Sequence, residues 1–252
     1  MKTSSEKKMT LSGHLRELRN RLVVCIVCLI VSFMVGLHFA PDIVEMLTVI
    51  GEEYGYTYVF IAPQELLMQY FSVALIASIC VMFPVIFYQV WAFVRPGLRR
   101  NENLLFVCAL FCGLIFFVIG VIFAYKIMMP FMLYFFMDLS EGSNIAAAIS
   151  VQNYLNFIFS LFIIFGLVFE LPVVTVLLTQ LGLLKTQWMK KGRRIVIVGI
   201  FLLAAIITPP DIVSQIMVAI PILILYEMSI WICTGLMKIR RRYAQKKEKE
   251  EE

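Results

Sequence analysis

Lys185-Thr-Gln-Trp-Met-Lys-Lys-Gly-Arg-Arg194 is followed by Ile195-Val-Ile-Val-Gly-Ile-Phe-Leu-Leu-Ala-Ala-Ile-Ile207 and then by Thr208-Pro-Pro-Asp211. A basic segment thus leads into 13 apolar residues and a tight turn, and whether that run crosses a membrane decides the fold. As a helix it reaches about 20 Å at ~1.5 Å per residue, against a hydrocarbon core of about 30 Å. Length argues against crossing, so the charges on its two sides have to decide.

Working outward, five longer apolar runs lie at about 22–39, 70–93, 104–136, 151–184 and 212–237, each sufficient for a span. The chain carries 22 Lys and Arg. Lys2, Lys7, Lys8, Arg16, Arg19 and Arg21 precede the first run, and Arg95, Arg99 and Arg100 follow the second. Lys185, Lys190, Lys191, Arg193 and Arg194 precede the short run. Lys238, Arg240, Arg241, Arg242, Lys246, Lys247 and Lys249 follow the last. If the short run crosses, all of these fall on one side and only Lys126 is left over. The opposite loops then hold Asp42, Glu45, Glu52, Glu53, Glu65, Asp138, Glu141 and Asp211. Basic loops stay in the cytoplasm, so the expectation is an all-α polytopic protein of six transmembrane helices, N-in and C-in, with short fifth and sixth helices. A hairpin that short is expected to sit in a locally thinned bilayer.

Composition agrees. Of 252 residues, 61% are hydrophobic and 15% charged, against about 45–50% and about 25% in soluble domains, which excludes a water-soluble fold. The expected organisation is a cytoplasmic segment 1–21, a membrane domain 22–237 and a charged, disordered cytoplasmic tail 238–252. The first run is too long for a cleavable signal peptide and is read as a span. All six cysteines, Cys25, Cys28, Cys80, Cys108, Cys112 and Cys233, fall in apolar runs and read as small buried hydrophobes. No second half-site accompanies Cys25-x-x-Cys28, and two histidines far apart make no metal site. No cofactor or metal is expected.

The motifs of zinc proteases, serine hydrolases and P-loop ATPases are missing from the sequence, so an enzyme is not expected. The polar residues inside apolar runs are the candidates for function. Glu170, with Pro172 two residues on, is the most costly: an acid at mid-span costs about 2.5–3.5 kcal/mol on insertion scales and should face protein or a water-filled cavity. Thr175, Thr179 and Gln180 extend it as a polar stripe. Glu227 reads equally as a packing or a snorkelling acid. On the basic face, two carboxylates remain outside the flexible ends, Glu17 and Glu102. They either pair with Arg16, Arg19, Arg99 or Arg100, or form an acidic site for a guanidinium, which binds carboxylate bidentately. Charge alone leaves both open. The cluster 238–242 reads as a lipid-headgroup anchor rather than a nucleic-acid site.

At these residues the chain resembles the TatC family, the multispan core subunit of the twin-arginine protein translocase. His14-Leu-Arg-Glu-Leu-Arg-Asn-Arg21 is similar to its N-terminal signature. Tyr88-Gln-Val-Trp-Ala-Phe93 with Pro96 and Glu102 resembles the second span and first cytoplasmic loop, and Phe169-Glu-Leu-Pro172 the fourth-span motif. Thr208-Pro-Pro-Asp211, Gln215, Ala219-Ile-Pro221 and Tyr226-Glu227 resemble the last hairpin. One departure is the first outer loop, 42–62, which lacks the proline expected soon after the first span. The resemblance implies a receptor for twin-arginine signal peptides on folded cargo, working with single-span TatA- and TatB-type partners in an oligomeric complex. It implies a bacterial cytoplasmic membrane and export driven by proton-motive force. Glu17 and Glu102 would face the signal arginines, with Arg19 and Phe93 shaping the surface; Glu170, Gln215 and Asp211 would form an intramembrane polar site for a partner helix. The competing reading from another class is a proton- or cation-coupled secondary transporter using Glu170, although the halves show no internal repeat. A purely structural scaffold is the third.

Overall fold

The computed structural model of the chain describes residues 11–94, 103–141, 148–208 and 211–251. Its helices are α1 (Leu11–Glu53), α2 (Glu65–Val94), α3 (Asn103–Phe123), α4 (Met129–Glu141), α5 (Val151–Val168), α6 (Leu171–Gln180), α7 (Thr186–Lys191), α8 (Arg193–Ile207) and α9 (Ile212–Glu251). Five stretches among the described residues are long and apolar enough to cross a membrane: Gly13–Glu53, Glu65–Phe93, Val107–Ser140, Val151–Gln180 and Ile212–Ile239. α8, at 15 residues, is not among them.

The breaks follow from prolines. Pro130 has no N–H to donate into the helix, and just before it the chain widens into a π turn over Ala124–Met128. There the Met129 N–H bonds back to the Ala124 carbonyl, five residues earlier. Pro172 sits in the first turn of α6, where its missing N–H costs nothing, and the run 151–184 divides there into α5 and α6.

Three expectations change. The first helix continues well past Phe39, to Glu53, because Ala40, Val44, Leu47 and Gly51 repeat at helical spacing and are buried while Asp42 and Glu45 on the opposite face are exposed. The sixth helix is not short: α9 runs for 40 residues. It includes most of the tail 238–252, expected to lack structure; Arg, Lys, Glu, Gln and Ala are strong helix formers, and no Gly or Pro follows Gly235. Finally, a small sheet joins the α1–α2 and α4–α5 connections, with Thr57–Val59 (β1) parallel to Ala148–Ser150 (β2) and Thr57 opposite Ala148.

The core has three main parts. Ala40, Leu47, Val73, Leu133 and Leu155 join α1, α2, α4 and α5 beneath the sheet. Tyr56 belongs to this group and donates to the Leu133 carbonyl at 2.9 Å; burial pushes its phenol up to about 12, so the proton stays on. Phe165, Leu161, Ala204, Val218 and Ile222 join α5, α8 and α9. Phe83, Phe87, Trp91, Phe117 and Leu177 join α2, α3 and α6. Gly120 permits the close approach of α3 to α5, since a Cβ there would lie 2.5 Å from the Phe165 carbonyl oxygen.

Candidate functional site

α1 and α2 lie alongside each other, so the start of α1 meets the end of α2. The His14 and Phe93 rings stack with centroids 4.1 Å apart. Two turns along, the Arg21 Nη1 donates to Gln89 Oε1 at 3.1 Å. Glu17 is on the same face of α1 and accepts from the Arg21 Nε at 3.0 Å and also from Nη2. Its other oxygen, Oε2, is buried and has no partner among the described residues. Gly13, Arg16, Glu17, Asn20, Arg21, Val24 and Gln89 line an open cavity of about 410 Å³. Arg19 is exposed and reaches Asn20 at 3.5 Å.

The structure therefore brings Glu17 and Phe93 to one end of the molecule, while Glu102 lies outside the described residues. Glu17 pairs with Arg21, one helical turn on, rather than with Arg16 or Arg19. That spacing, four residues apart in a helix, was available in the sequence. Gln89 had no such signal, being 68 residues from its partner.

Glu170 stands at the break between α5 and α6. It occupies the N-cap position of α6, yet its side chain caps nothing. It is 6% exposed, and neither carboxylate oxygen has a hydrogen-bond partner among the described residues. Its neighbours include α3 and α2: a Cβ placed on Gly113 would lie 2.9 Å from Glu170 Oε2 and 2.5 Å from the Phe87 ring. Glycine at 113 thus makes the room the carboxylate occupies. The polar stripe beyond is used internally. Thr175 donates to the Leu171 carbonyl at 2.7 Å, and Thr179 to Cys233 Sγ at 3.5 Å.

Asp211 and Gln215 are likewise engaged inside the last hairpin. Asp211 caps α9 by accepting from the Ser214 N–H at 2.7 Å and from the Ser214 hydroxyl. Gln215 Nε2 donates to the Phe201 carbonyl at 2.9 Å, tying α9 to α8. At the other end of the hairpin, Arg193 bonds Glu227 at 2.8 Å and the Tyr226 hydroxyl bonds the Met189 carbonyl at 2.8 Å. Glu227 is thus a half-exposed paired acid. α8 runs antiparallel to α9 over the length from Gln215 to Glu227.

Five long apolar helices, and a buried carboxylate at a helix break with no partner among the described residues, define the class as a polytopic membrane protein. The family profile described as Sec-independent protein translocase protein (TatC) matches residues 13–221. A relative of that name from Desulforapulum autotrophicum is 37% identical over 230 residues, covering 89% of this chain and 84% of its own length. One from Helicobacter pylori is 38% identical over 223 residues, covering 88% and 86%. A crystal structure of the twin-arginine translocase receptor TatC superposes with a TM-score of 0.81 at 32% identity, covering 88% of this chain and 98% of that one. The chain belongs to the TatC family. It is a protein-translocase component of the membrane and not an enzyme.

Proposed function

We propose that the chain is the twin-arginine signal-peptide receptor and core scaffold of a translocase exporting folded proteins across the bacterial cytoplasmic membrane. TatA- and TatB-type partners and proton-motive force complete the machine. The observation that carries this reading is the Glu17 carboxylate, with one oxygen on Arg21 and the other without a partner among the described residues, at an open cavity of about 410 Å³. A guanidinium arriving there finds an acceptor already held in place. Glu102 supplies the second carboxylate in this reading, and Arg19 and Phe93, the latter stacked on His14, shape the same end of the molecule.

Six crossings with both termini in the cytoplasm remain part of the proposal. Its support is the antiparallel pairing of α8 with the long apolar α9, from Phe201–Gln215 to Arg193–Glu227. At 15 residues α8 is about 22 Å long, so crossing requires thinning or snorkelling. Glu170, facing α3 at a helix break, is the intramembrane contact for a partner helix or the inserted signal. Asp211 and Gln215 support that surface by holding the hairpin. Membership of a translocase family sets aside the cation-coupled transporter.

The test is binding of an Arg-Arg signal peptide and its Lys-Lys counterpart to the purified full chain in detergent. The expected result is a clear preference for Arg-Arg, abolished in Glu102→Ala and reduced in Glu17→Gln. Equal, weak binding of both peptides would reduce the face to unspecific electrostatics and overturn the receptor role.

A further inference from the structure

A second cavity, of about 280 Å³, lies at the far end of the α8–α9 hairpin from the Thr208 turn. Lys190 of α7, Arg193 at the start of α8, and Ile230, Trp231, Thr234, Gly235 and Lys238 of α9 line it. Within α9, positions 231, 234, 235 and 238 follow the i, i+3, i+4, i+7 spacing of a single helix face. That face turns one cation toward two others from separate elements. Lys190, Arg193 and Lys238 carry three positive charges, and the acid engaged there is Glu227, which occupies the Arg193 Nη2. Arg193 Nε makes no hydrogen bond among the described residues. The Thr234 hydroxyl is already donating to the Ile230 carbonyl at 2.7 Å. What the cavity offers a ligand is therefore cationic donors with a net positive balance, which suits a phosphate monoester or diester.

Two features favour a lipid over a free anion. Trp231 at the cavity is 74% exposed, as expected of an indole placed at the level of lipid headgroups. The α9 helix carrying it belongs to an apolar span, Ile212–Ile239, that ends at the cavity. We propose that this cavity is a site for the phosphate of an anionic phospholipid, held by Lys190, Arg193 and Lys238 with Trp231 against the glycerol and upper acyl region. A bound lipid joins α7, α8 and α9 where the short α8 begins, and so fixes the hairpin at its headgroup end. This goes beyond a diffuse basic anchor: loop lysines that only set orientation need no cavity.

Gly235 separates the two ideas. A Cβ at Gly235 meets nothing within 4 Å, so a larger side chain there extends into the open cavity without removing any charge. The experiment is native mass spectrometry of the purified full chain from micelles containing equal phosphatidylglycerol and phosphatidylcholine. The wild-type chain is expected to retain phosphatidylglycerol with about tenfold preference, and both Gly235→Leu and Lys190→Gln/Lys238→Gln are expected to lose about tenfold of that retention. If the double variant fails to fold, Gly235→Leu carries the test alone. Preference that survives Gly235→Leu, or no preference in the wild type, overturns the site. Adding millimolar inorganic phosphate distinguishes the occupants: a lipid that stays bound supports the proposal, whereas its displacement makes free phosphate the ligand and overturns the lipid.

Discussion

The two ends of the bundle treat a glutamate in opposite ways. At the sheet end, Glu65 is 4% exposed and every part of its carboxylate is used. The Ile61 N–H donates to Oε2 at 2.8 Å and the Gln152 N–H to Oε1 at 2.9 Å, with the Ala62 N–H and the Ser150 hydroxyl completing the set. One side chain thereby ties the loop before α2 to the start of α5, beside the strands β1 and β2. At the opposite end, Glu17 has one oxygen on Arg21 and one without a partner among the described residues, beside an open cavity. A saturated carboxylate closes a structure, and a half-saturated one leaves it ready for a ligand. Glu170 combines the two cases, buried like Glu65 yet with no hydrogen-bond partner on either oxygen among the described residues.

The sharpest way to break this contrast is Glu65→Ala. It leaves four donors, from Ile61 and Ala62 before α2 and from Ser150 and Gln152 at the start of α5, without their acceptor, and buried donors left unmade cost far more than the bond was worth. The thermal midpoint of the purified protein in detergent is expected to fall by roughly 5 °C or more. Glu65→Gln should fall less, because the amide keeps one accepting oxygen. A midpoint unchanged in Glu65→Ala would mean that the sheet end is held by packing alone.

Next in size is Gly120→Ala, in the middle of the bundle. The added Cβ meets a backbone carbonyl at 2.5 Å, which cannot rotate away as a side chain could. Overpacking of this kind costs about 1–3 kcal/mol, read as a lower denaturation midpoint. An unchanged midpoint would show that α3 and α5 slide apart freely, and that Glu170 has no fixed surroundings.

Glu170→Gln should behave unlike either. Since no described group bonds the carboxylate, replacing it with an uncharged amide of the same shape removes a desolvation cost and breaks no bond. Stability is expected to stay level or rise by up to about 1 kcal/mol, while export of a twin-arginine reporter in cells falls severalfold. A marked loss of stability would instead reveal an internal partner and move Glu170 to the structural class of Glu65.

These carboxylates also mark how far the sequence could be read. The long apolar runs place five spans, and Pro130 and Pro172 place the breaks, because both effects act locally along the chain. The continuation of α1 to Glu53 is visible only when Ala40, Val44, Leu47 and Gly51 are taken as a buried stripe; the acids Asp42 and Glu45 between them suggest a loop. The roles of Glu65 and Gly113 are invisible in one dimension. Glu65 meets Ser150 and Gln152 across 85 and 87 residues, and Gly113 matters through a glutamate on another helix. Nothing in spacing or composition separates a saturated glutamate from a free one. That distinction is made by donors that only tertiary packing delivers.

Glu17→Gln should have the smallest effect on stability and is the most exacting test of the comparison. Its bond to Arg21 is an i, i+4 ion pair with side chains 20% and 25% exposed, a type worth about 0.3–0.5 kcal/mol once solvent screening and side-chain entropy are counted. The amide oxygen can still accept from Arg21, so the denaturation midpoint should barely move. Binding of an Arg-Arg peptide should nonetheless weaken by about tenfold, the loss of one charge-assisted contact. The two readouts together decide the matter. If stability falls as far as in Glu65→Ala, then Glu17 is one more closing bond and the cavity beside it is incidental. If stability holds while Arg-Arg binding is lost, the unpartnered oxygen is the functional group, and the open end of the bundle is open because a ligand completes it.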